Sequence, residues 1–513
     1  MSHTRHQTVP QAGRFVLTCL LFLWVCVPRS AAAISETSSN TVEGAVAAIE
    51  NRFDDLGVVE ASYAVVRGDQ ETVAGYGTAT PDTPFVIASV SKSITALGIL
   101  QLVDRGLVSL DAPVTDYIDW FTTADPTVSI TVRQLLTHTS GLSTLDGVRD
   151  AFDPEVALEE RVRSISRYDL VSQPGRAFHY SNLNYAVLGL VIEEVSGVGY
   201  GEYVGRQVFE PLGMDHSYTD FALAQANGLA TGTITVFGFP ISVNQTAFPG
   251  SLPDGFLIST ARDLAHYIRF QMGDGTFEAR RLLSTESMTI MHEPAVETGG
   301  QPYLDHYAMG WHTGNIDGEA LVAHDGNTFG YHADISMLPG LDSGVVVLVA
   351  RSGMVVNHLD RGAVEALTDG TPQVGLSATL TWIALDAVLA LLVLGSILIV
   401  VRRRRRRREN PRRIPRPAPA LVQIGVGALI AAAFTLFTAS LTGGLDVINI
   451  RIFWGLAPDL LIVAVAIPSL LIASGIASLW ERRGAHRSAT PIATYAAIAP
   501  IPGGSQKENA GNV

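Results

Sequence analysis

Residues 85–106 read FVIASVSKSITALGILQLVDRG, and no other stretch restricts the fold as much. Ile94, Leu97, Leu100 and Val103 recur at a spacing of three, which predicts a helix with one buried face that Gly106 is placed to stop. Ser89 falls at or near the start of that helix. Lys92 follows three residues later, an offset that stacks the two side chains on one helix face. A serine hydroxyl is a weak nucleophile, and an uncharged amine within reach can take its proton. The positive helix end favours negative charge developing near Ser89 and lowers the cost of keeping Lys92 deprotonated. The same spacing also fits an N-cap serine followed by a solvated lysine. Residue choice separates the two readings, because Lys92 is the only lysine in residues 34–376 and every other basic residue there is arginine. Arginine does not surrender its proton, whereas a buried lysine can be shifted to do so.

The 513 residues suffice for one large domain or two smaller ones plus membrane segments, and a mean hydropathy of +0.26 points to lipid-embedded parts. Residues 1–33 carry Arg5 and Arg14, an apolar run over 15–27, and then Ala31, Ala32 and Ala33. This is the pattern of a secretory signal cut after Ala33, with an uncleaved anchor as the alternative. Both cysteines, Cys19 and Cys26, lie in that run, so the mature chain is expected to have no disulfide. Residues 34–376 hold 43 acidic and 17 basic residues, a formal charge of −26. Such a field disfavours nucleic acid and anionic lipid surfaces as partners.

Coarse periodicity predicts a helix over Val42–Leu56 and strands over 61–67 and 71–76, joined by the turn Gly68-Asp69-Gln70. Thr131 is placed to cap a short helix carrying Val132, Leu135 and Leu136. His138 lies just beyond it, where a structural hydrogen-bonding role is expected. In residues 173–197, Pro174-Gly175 makes a turn before His179-Tyr180-Ser181-Asn182, and an amphipathic helix is expected over 185–195. Tyr180 and Asn182 are two apart and project to one side of an extended loop. A phenol beside a lysine ammonium has a lowered pKa, which would let Tyr180 relay protons to Ser89 and the leaving group. Asn182 is placed to orient a substrate carbonyl or to hold Lys92. Residues 320–324, 331–338 and 344–351 read as strands pairing antiparallel with each other and with the N-terminal hairpin. His324-Asp325-Gly326 then lies where an edge strand passes a pocket. Gly326 lets a substrate backbone approach, and the Asn327 amide is available beside that of Ser89 as an oxyanion donor.

S-x-x-K at Ser89 and Lys92, Y-x-N at Tyr180 and Asn182, and H-x-G at His324 and Gly326, in this order, resemble the class C β-lactamase and penicillin-binding serine hydrolase family. L-L-T-H-T-S-G-L over 135–142, P-G-x-x-x-x-Y-S-N over 174–182 and L-x-S-T-A-x-D-L-A over 257–265 look like the same family. The likeness covers residues 41–367. It implies an α/β (α+β) fold with an antiparallel sheet flanked by helices and an inserted, mainly helical domain. It also implies a catalytic group of Ser89, Lys92 and Tyr180, with Asn182, His324, Gly326 and Asn327 binding substrate. One departure matters. The β-lactamases proper carry lysine in the third motif, a fixed cation for a substrate carboxylate, whereas His324 is largely neutral above its ordinary pKa of about 6.5. Efficient β-lactam hydrolysis is therefore discounted in favour of an ester, amide or peptide substrate. The alternative is a catalytically inactive, penicillin-binding-like sensor or binding protein. No cofactor is expected. No H-E-x-x-H, cysteine pair or regular His-x-His spacing appears, so no metal site is expected either.

After residue 376 the character changes. Residues 377–401, 420–442 and 455–480 are each long and apolar enough to span a bilayer. Seven consecutive arginines, Arg402 to Arg408, open a loop over 402–419, and Glu481-Arg482-Arg483 opens a tail over 481–513. The positive-inside rule puts loop and tail in the cytoplasm and residues 34–376 outside. Asp386 and Asp459 are expected at the interfaces. Protein partners and oligomeric state are not legible.

Overall fold

A computed structural model describes residues 41–368 apart from 150, 237–238, 244, 302 and 354–357, together with 420–429, 458–488 and scattered helical positions between 391 and 432. The expected signal (1–33) and most of the first span (377–401), of the arginine loop and of residues 430–457 lie outside the described residues. Contacts divide the chain into two compact units, the first holding residues up to 387 and the second most of the C-terminal region.

In the first unit, helix α1 (Val42–Leu56) begins where the Thr41 side chain accepts from the Gly44 amide at 3.0 Å and ends at Gly57, whose φ of 59° is left-handed. The hairpin β1 (Glu60–Arg67) and β2 (Gln70–Gly77) follows as the alternation requires. Helix α2 (Ser91–Asp104), the short α3 (Val132–Leu136), α4 (Asn182–Ser196) and α5 (Ala261–Met272) come next, before the chain returns to the sheet. Six strands then complete it: β3 (Val296–Gln301), β4 (Leu304–Tyr307), β5 (His312–Ile316), β6 (Glu319–Thr328), β7 (Tyr331–Leu338) and β8 (Ser343–Val349). The order is β2-β1-β8-β7-β6-β5-β4-β3, antiparallel throughout. Thus the first and last parts of the domain share one sheet, as the sequence implied.

The period of two sorts the core into layers. Strand β1 sends Ala64 and Val66 to one face and Ala61, Tyr63 and Val65 to the other, and β8 does the same with Val346 and Leu348 against Val345 and Val347. Ile49 and Phe53 of α1, with Ala363 and Val364 of α6 (Arg361–Leu367), cover one face. Leu264 and Ile268 of α5 cover the other, where the helical region also packs.

Two expectations need correction. Helix α2 does not bury one face; every residue from Ser91 to Leu102 is buried, and α4 is buried from Leu183 to Ile192. The small hydroxyls that read as a solvent face are satisfied inside: Thr95 donates to the Pro253 carbonyl at 2.7 Å, and Ser93 accepts from the Tyr267 hydroxyl at 3.0 Å. Strand β6 is also not an edge strand of the sheet, since β5 and β7 flank it. Its pairing with β5 stops at Ala323, however, so residues 324–328 keep β7 on one side and open on the other.

Helix α7 (Pro458–Ser488), which belongs to the second unit from Ile462 onward, contains Leu461–Trp480, 20 residues of hydropathy 2.3, long and apolar enough to cross a membrane. It falls within residues 455–480, where the third span is expected, and Asp459 precedes the apolar stretch. Among the described residues no other helix meets that criterion; Ala420–Leu429 is a shorter apolar helix within the second expected span. The two pack closely, for a Cβ at Gly427 would stand 3.0 Å from the Pro468 carbonyl oxygen.

Candidate active site

Ser89 lies in a tight helical turn, Ala88–Val90, that runs into α2. Ala88 has a φ of 46°, a left-handed conformation that costs a non-glycine residue about 1 kcal/mol, so the turn must be held from outside. Strand β6 holds it. A Cβ on Gly326 would fall 2.4 Å from the Ile87 carbonyl oxygen and 2.9 Å from the Ser89 nitrogen. The missing side chain, expected to admit a substrate, in fact admits the backbone of the Ser89 turn.

The Lys92 amine is fully buried, 3.0 Å from Ser89 Oγ and donating to the Asp254 carbonyl oxygen at 2.6 Å. Burial brings its pKa down to about 7; the Arg161 charge pushes the same way, and the Asp254 and Asp325 charges oppose. A neutral amine can spend one N–H on Asp254 and turn its lone pair to the Ser89 hydroxyl. Asp254 is in turn anchored through its side chain, which forms a buried ion pair with Arg161 at 2.5 Å. Arg161 also donates to the Gly250 carbonyl, Ser251 Oγ and the Gly147 carbonyl at 2.7–3.0 Å. Neither Arg161 nor Asp254 was singled out in the sequence. They are 93 residues apart, and no local pattern marks a pair whose partners meet only in the fold.

The Tyr180 hydroxyl is hydrogen-bonded to Ser89, and Lys92 Nζ lies 4.9 Å from the Tyr180 ring centre. The expected lowering of its pKa is reversed. Burial holds the phenol well above its usual 10, opposed by the Ser89 hydrogen bond and reinforced by the Asp325 and Asp254 charges. An amine with a pKa of about 7 carries only about half a charge at neutral pH and supplies correspondingly less pull in the other direction. Tyr180 is therefore a neutral proton donor, which leaves Lys92 as the base. His138 behaves as a structural group: its ring packs 4.4 Å from that of Tyr180, and its Nδ1 accepts from the Ser181 amide at 3.1 Å and lies 2.7 Å from Asn184 Nδ2. Asn182 opens α4 but does not hold Lys92, whose bonds go to Ser89 and Asp254. Its Oδ1 is buried without a hydrogen-bond partner among the described residues.

His324 sits on the open half of β6, with Nδ1 donating to the Asp325 carbonyl at 2.6 Å and Nε2 3.3 Å from the Tyr307 hydroxyl. Burial first, then His312 and Lys92, hold its pKa well below 6.5, so it is uncharged at neutral pH. Thr328 and Tyr331 close a two-residue turn and face each other; by alternation the Asn327 N–H points away from β7, toward the open edge. Ser89, Tyr180, His324, Asp325 and Asn327 all line one cleft of about 320 Å³, with Phe178 and His312 on its walls. A larger groove of about 580 Å³, lined by Arg105, Arg206, Arg280 and Arg281, contains none of these residues. Among the described residues no three His, Cys, Asp or Glu side chains group as metal ligands.

A family model described as Beta-lactamase matches residues 45–369. Penicillin-binding protein 4 of Amycolatopsis lactamdurans is 30% identical over 331 residues, covering 60% of this chain and 85% of that one. Protein flp of Staphylococcus aureus (strain N315) is 30% identical over 273 residues, 53% of each chain, so this chain spans about half the length of that relative. Among solved structures, the octameric penicillin-binding protein homologue from Pyrococcus abyssi matches with a TM-score of 0.58 at 27% identity, over 68% of this chain and 81% of that one.

Proposed function

The chain belongs to the Beta-lactamase family, whose members are serine hydrolases, and from that premise we propose that it is a membrane-anchored extracytoplasmic serine hydrolase acting on an ester, amide or peptide through an acyl-enzyme. The observation that carries this reading is the 3.0 Å contact between Ser89 Oγ and a buried amine whose pKa is brought to about 7. Lys92 takes the Ser89 proton as Oγ bonds to the substrate carbonyl carbon. The Ser89 and Asn327 amides receive the oxyanion, and the open edge of β6 supports that assignment. Collapse expels the alcohol or amine, which takes a proton from Tyr180, and Lys92 passes the proton it took from Ser89 to the phenolate. Water then attacks the ester on Ser89, giving a proton to Lys92, and the acid leaves as Ser89 Oγ is reprotonated. Asn182 and His324 bind the substrate beside the reacting carbonyl.

Neutral His324 supplies no cation for a substrate carboxylate, which supports the discounting of β-lactams. Residues 34–376 form the exported domain after a signal over 1–33. Spans over 377–401, 420–442 and 455–480 anchor it, with the loop 402–419 and tail 481–513 in the cytoplasm; the apolar Leu461–Trp480 helix supports membrane association, and the arginine runs carry the sidedness. The test is turnover of a panel of p-nitrophenyl esters, aminoacyl p-nitroanilides and nitrocefin by the full chain in detergent. Esters or anilides should lead, and Ser89→Ala should abolish their turnover. Nitrocefin leading would overturn the substrate reading, and no turnover of any substrate would make the protein a binder.

A further inference from the structure

The charges around the cleft bear on which acyl group it takes, an inference that rests on the acyl-transfer reading of Ser89. Among the described residues, Arg161 and Lys92 near the cleft are committed, and His312 and His324 are neutral. Arg161 is buried against Asp254, and Lys92 is engaged by Ser89 Oγ and the Asp254 carbonyl. His312 has its pKa brought down to about 4, mainly by burial, and His324 lies well below its ordinary value. Asp325 is different. It lines the cleft, is half-buried, and forms no ion pair among the described residues. Its charge is nevertheless felt by Lys92, Tyr180, Tyr307 and His312, the groups gathered around the nucleophile. A carboxylate that faces a narrow cleft without a counter-ion favours a cation brought in by the substrate and disfavours an anion.

Position along the strand adds a length. Asp325 is two residues from Asn327 on β6, about 7 Å at the strand rise. A carbonyl oxygen at the Asn327 amide therefore leaves an ammonium two or three bonds away within reach of Asp325.

We propose that Asp325 is the specificity-determining residue of the cleft, anchoring a positively charged amine close to the scissile carbonyl, so that preferred substrates are amides or esters of acyl groups bearing a free ammonium and carboxylate-bearing acyl groups are repelled. Asp325 takes no part in the bond changes. It acts on substrate binding and hence mainly on KM.

The experiment uses the full chain in detergent and three matched p-nitroanilides: alanyl with a free amine, N-acetylalanyl and N-succinylalanyl, the alanine in both enantiomers. Wild type should prefer the free amine over the acetyl form by about tenfold in kcat/KM, the worth of one charge-assisted hydrogen bond, and turn over the succinyl form slowest. Asp325→Asn should erase most of that ratio through KM, and Asp325→Lys should place the succinyl form ahead of the amine. A ratio unchanged in Asp325→Asn, or a wild type that prefers the acetyl or succinyl form, overturns the proposal. Phosphonylation of Ser89 by a fluorophosphonate is followed in every protein. An unlabelled wild type defeats the hydrolase reading itself, whereas intact labelling with an unchanged ratio defeats only the role of Asp325. A wild-type measurement independent of variant folding completes the test: alaninamide should protect Ser89 from phosphonylation and N-acetylalaninamide should not, and equal protection by both overturns the proposal.

Discussion

Replacing Lys92 by Met should make the protein more stable near neutral pH, and less markedly so as the pH rises. In the unfolded chain this lysine is protonated up to about 10.5, while in the folded protein it loses its proton at about 7. Between those values the unfolded state binds more protons, so stability rises with pH across the window; below 7 the penalty for burying the amine is complete. The difference of about 3.5 pH units corresponds to roughly 5 kcal/mol at 1.36 kcal/mol per unit. Methionine fills a similar volume without the charge but forfeits the bonds to Ser89 Oγ and the Asp254 carbonyl, which returns about 1–3 kcal/mol. A net gain on the order of 2–4 kcal/mol is expected near pH 7. It should shrink toward zero and then change sign as the pH approaches 10. Urea denaturation of both proteins at several pH values, with linear extrapolation, reads this directly. Destabilisation at neutral pH, or a gain independent of pH, would refute the argument that burial lowers the pKa of this amine.

The neutral fraction of an amine with a pKa of about 7 rises about tenfold between pH 6 and pH 8, so the rate of Ser89 phosphonylation should rise by that factor and then level off; continued tenfold gains per unit toward pH 10 would mean an unshifted lysine. Gly326→Ala places a methyl 2.4 Å from the Ile87 carbonyl oxygen and should cost on the order of 10²-fold in acylation rate by displacing the Ser89 turn, with the far-ultraviolet circular dichroism preserved. Arg161→Met leaves the Asp254 carboxylate buried without its partner and should destabilise the protein by about 3–5 kcal/mol in urea titration. Adding Asp254→Asn to that variant should recover part of the loss, and no recovery would mean that the packing of Arg161 matters more than its charge.

Local pattern carried much of this structure. Helix α1 has the bounds its apolar spacing predicts, and the β1–β2 hairpin turns at Gly68, whose φ is 54°. Thr131 caps α3 with a reciprocal bond from Gln134, because cap and helix are neighbours in the chain. Burial was less legible. A helix surrounded on all sides reads as amphipathic when its polar residues are small hydroxyls bonded inside, as Ser93 and Thr95 are. The sign of the Tyr180 shift was also out of reach, since it depends on whether burial outweighs a neighbouring amine, and that amine is itself discharged by the same burial. Gly326 reads as a point of close backbone approach, but its neighbour is the Ser89 turn and not a substrate, because only the fold brings residues 87–89 against β6. Asp325 stands within the H-D-G string, yet its exposure to the cleft and its lack of an ion-pair partner among the described residues depend on strands distant in sequence.

The claim beneath all of this is that Lys92, 3.0 Å away, activates Ser89 in its uncharged form. Reaction of the full chain with a fluorophosphonate, followed by intact mass and peptide mapping, measures it most directly. One adduct is predicted, on the peptide containing Ser89, absent from Ser89→Ala and formed at least about 100-fold more slowly in Lys92→Met. An adduct on another residue, or one on Ser89 that forms as fast without the amine, would contradict the account.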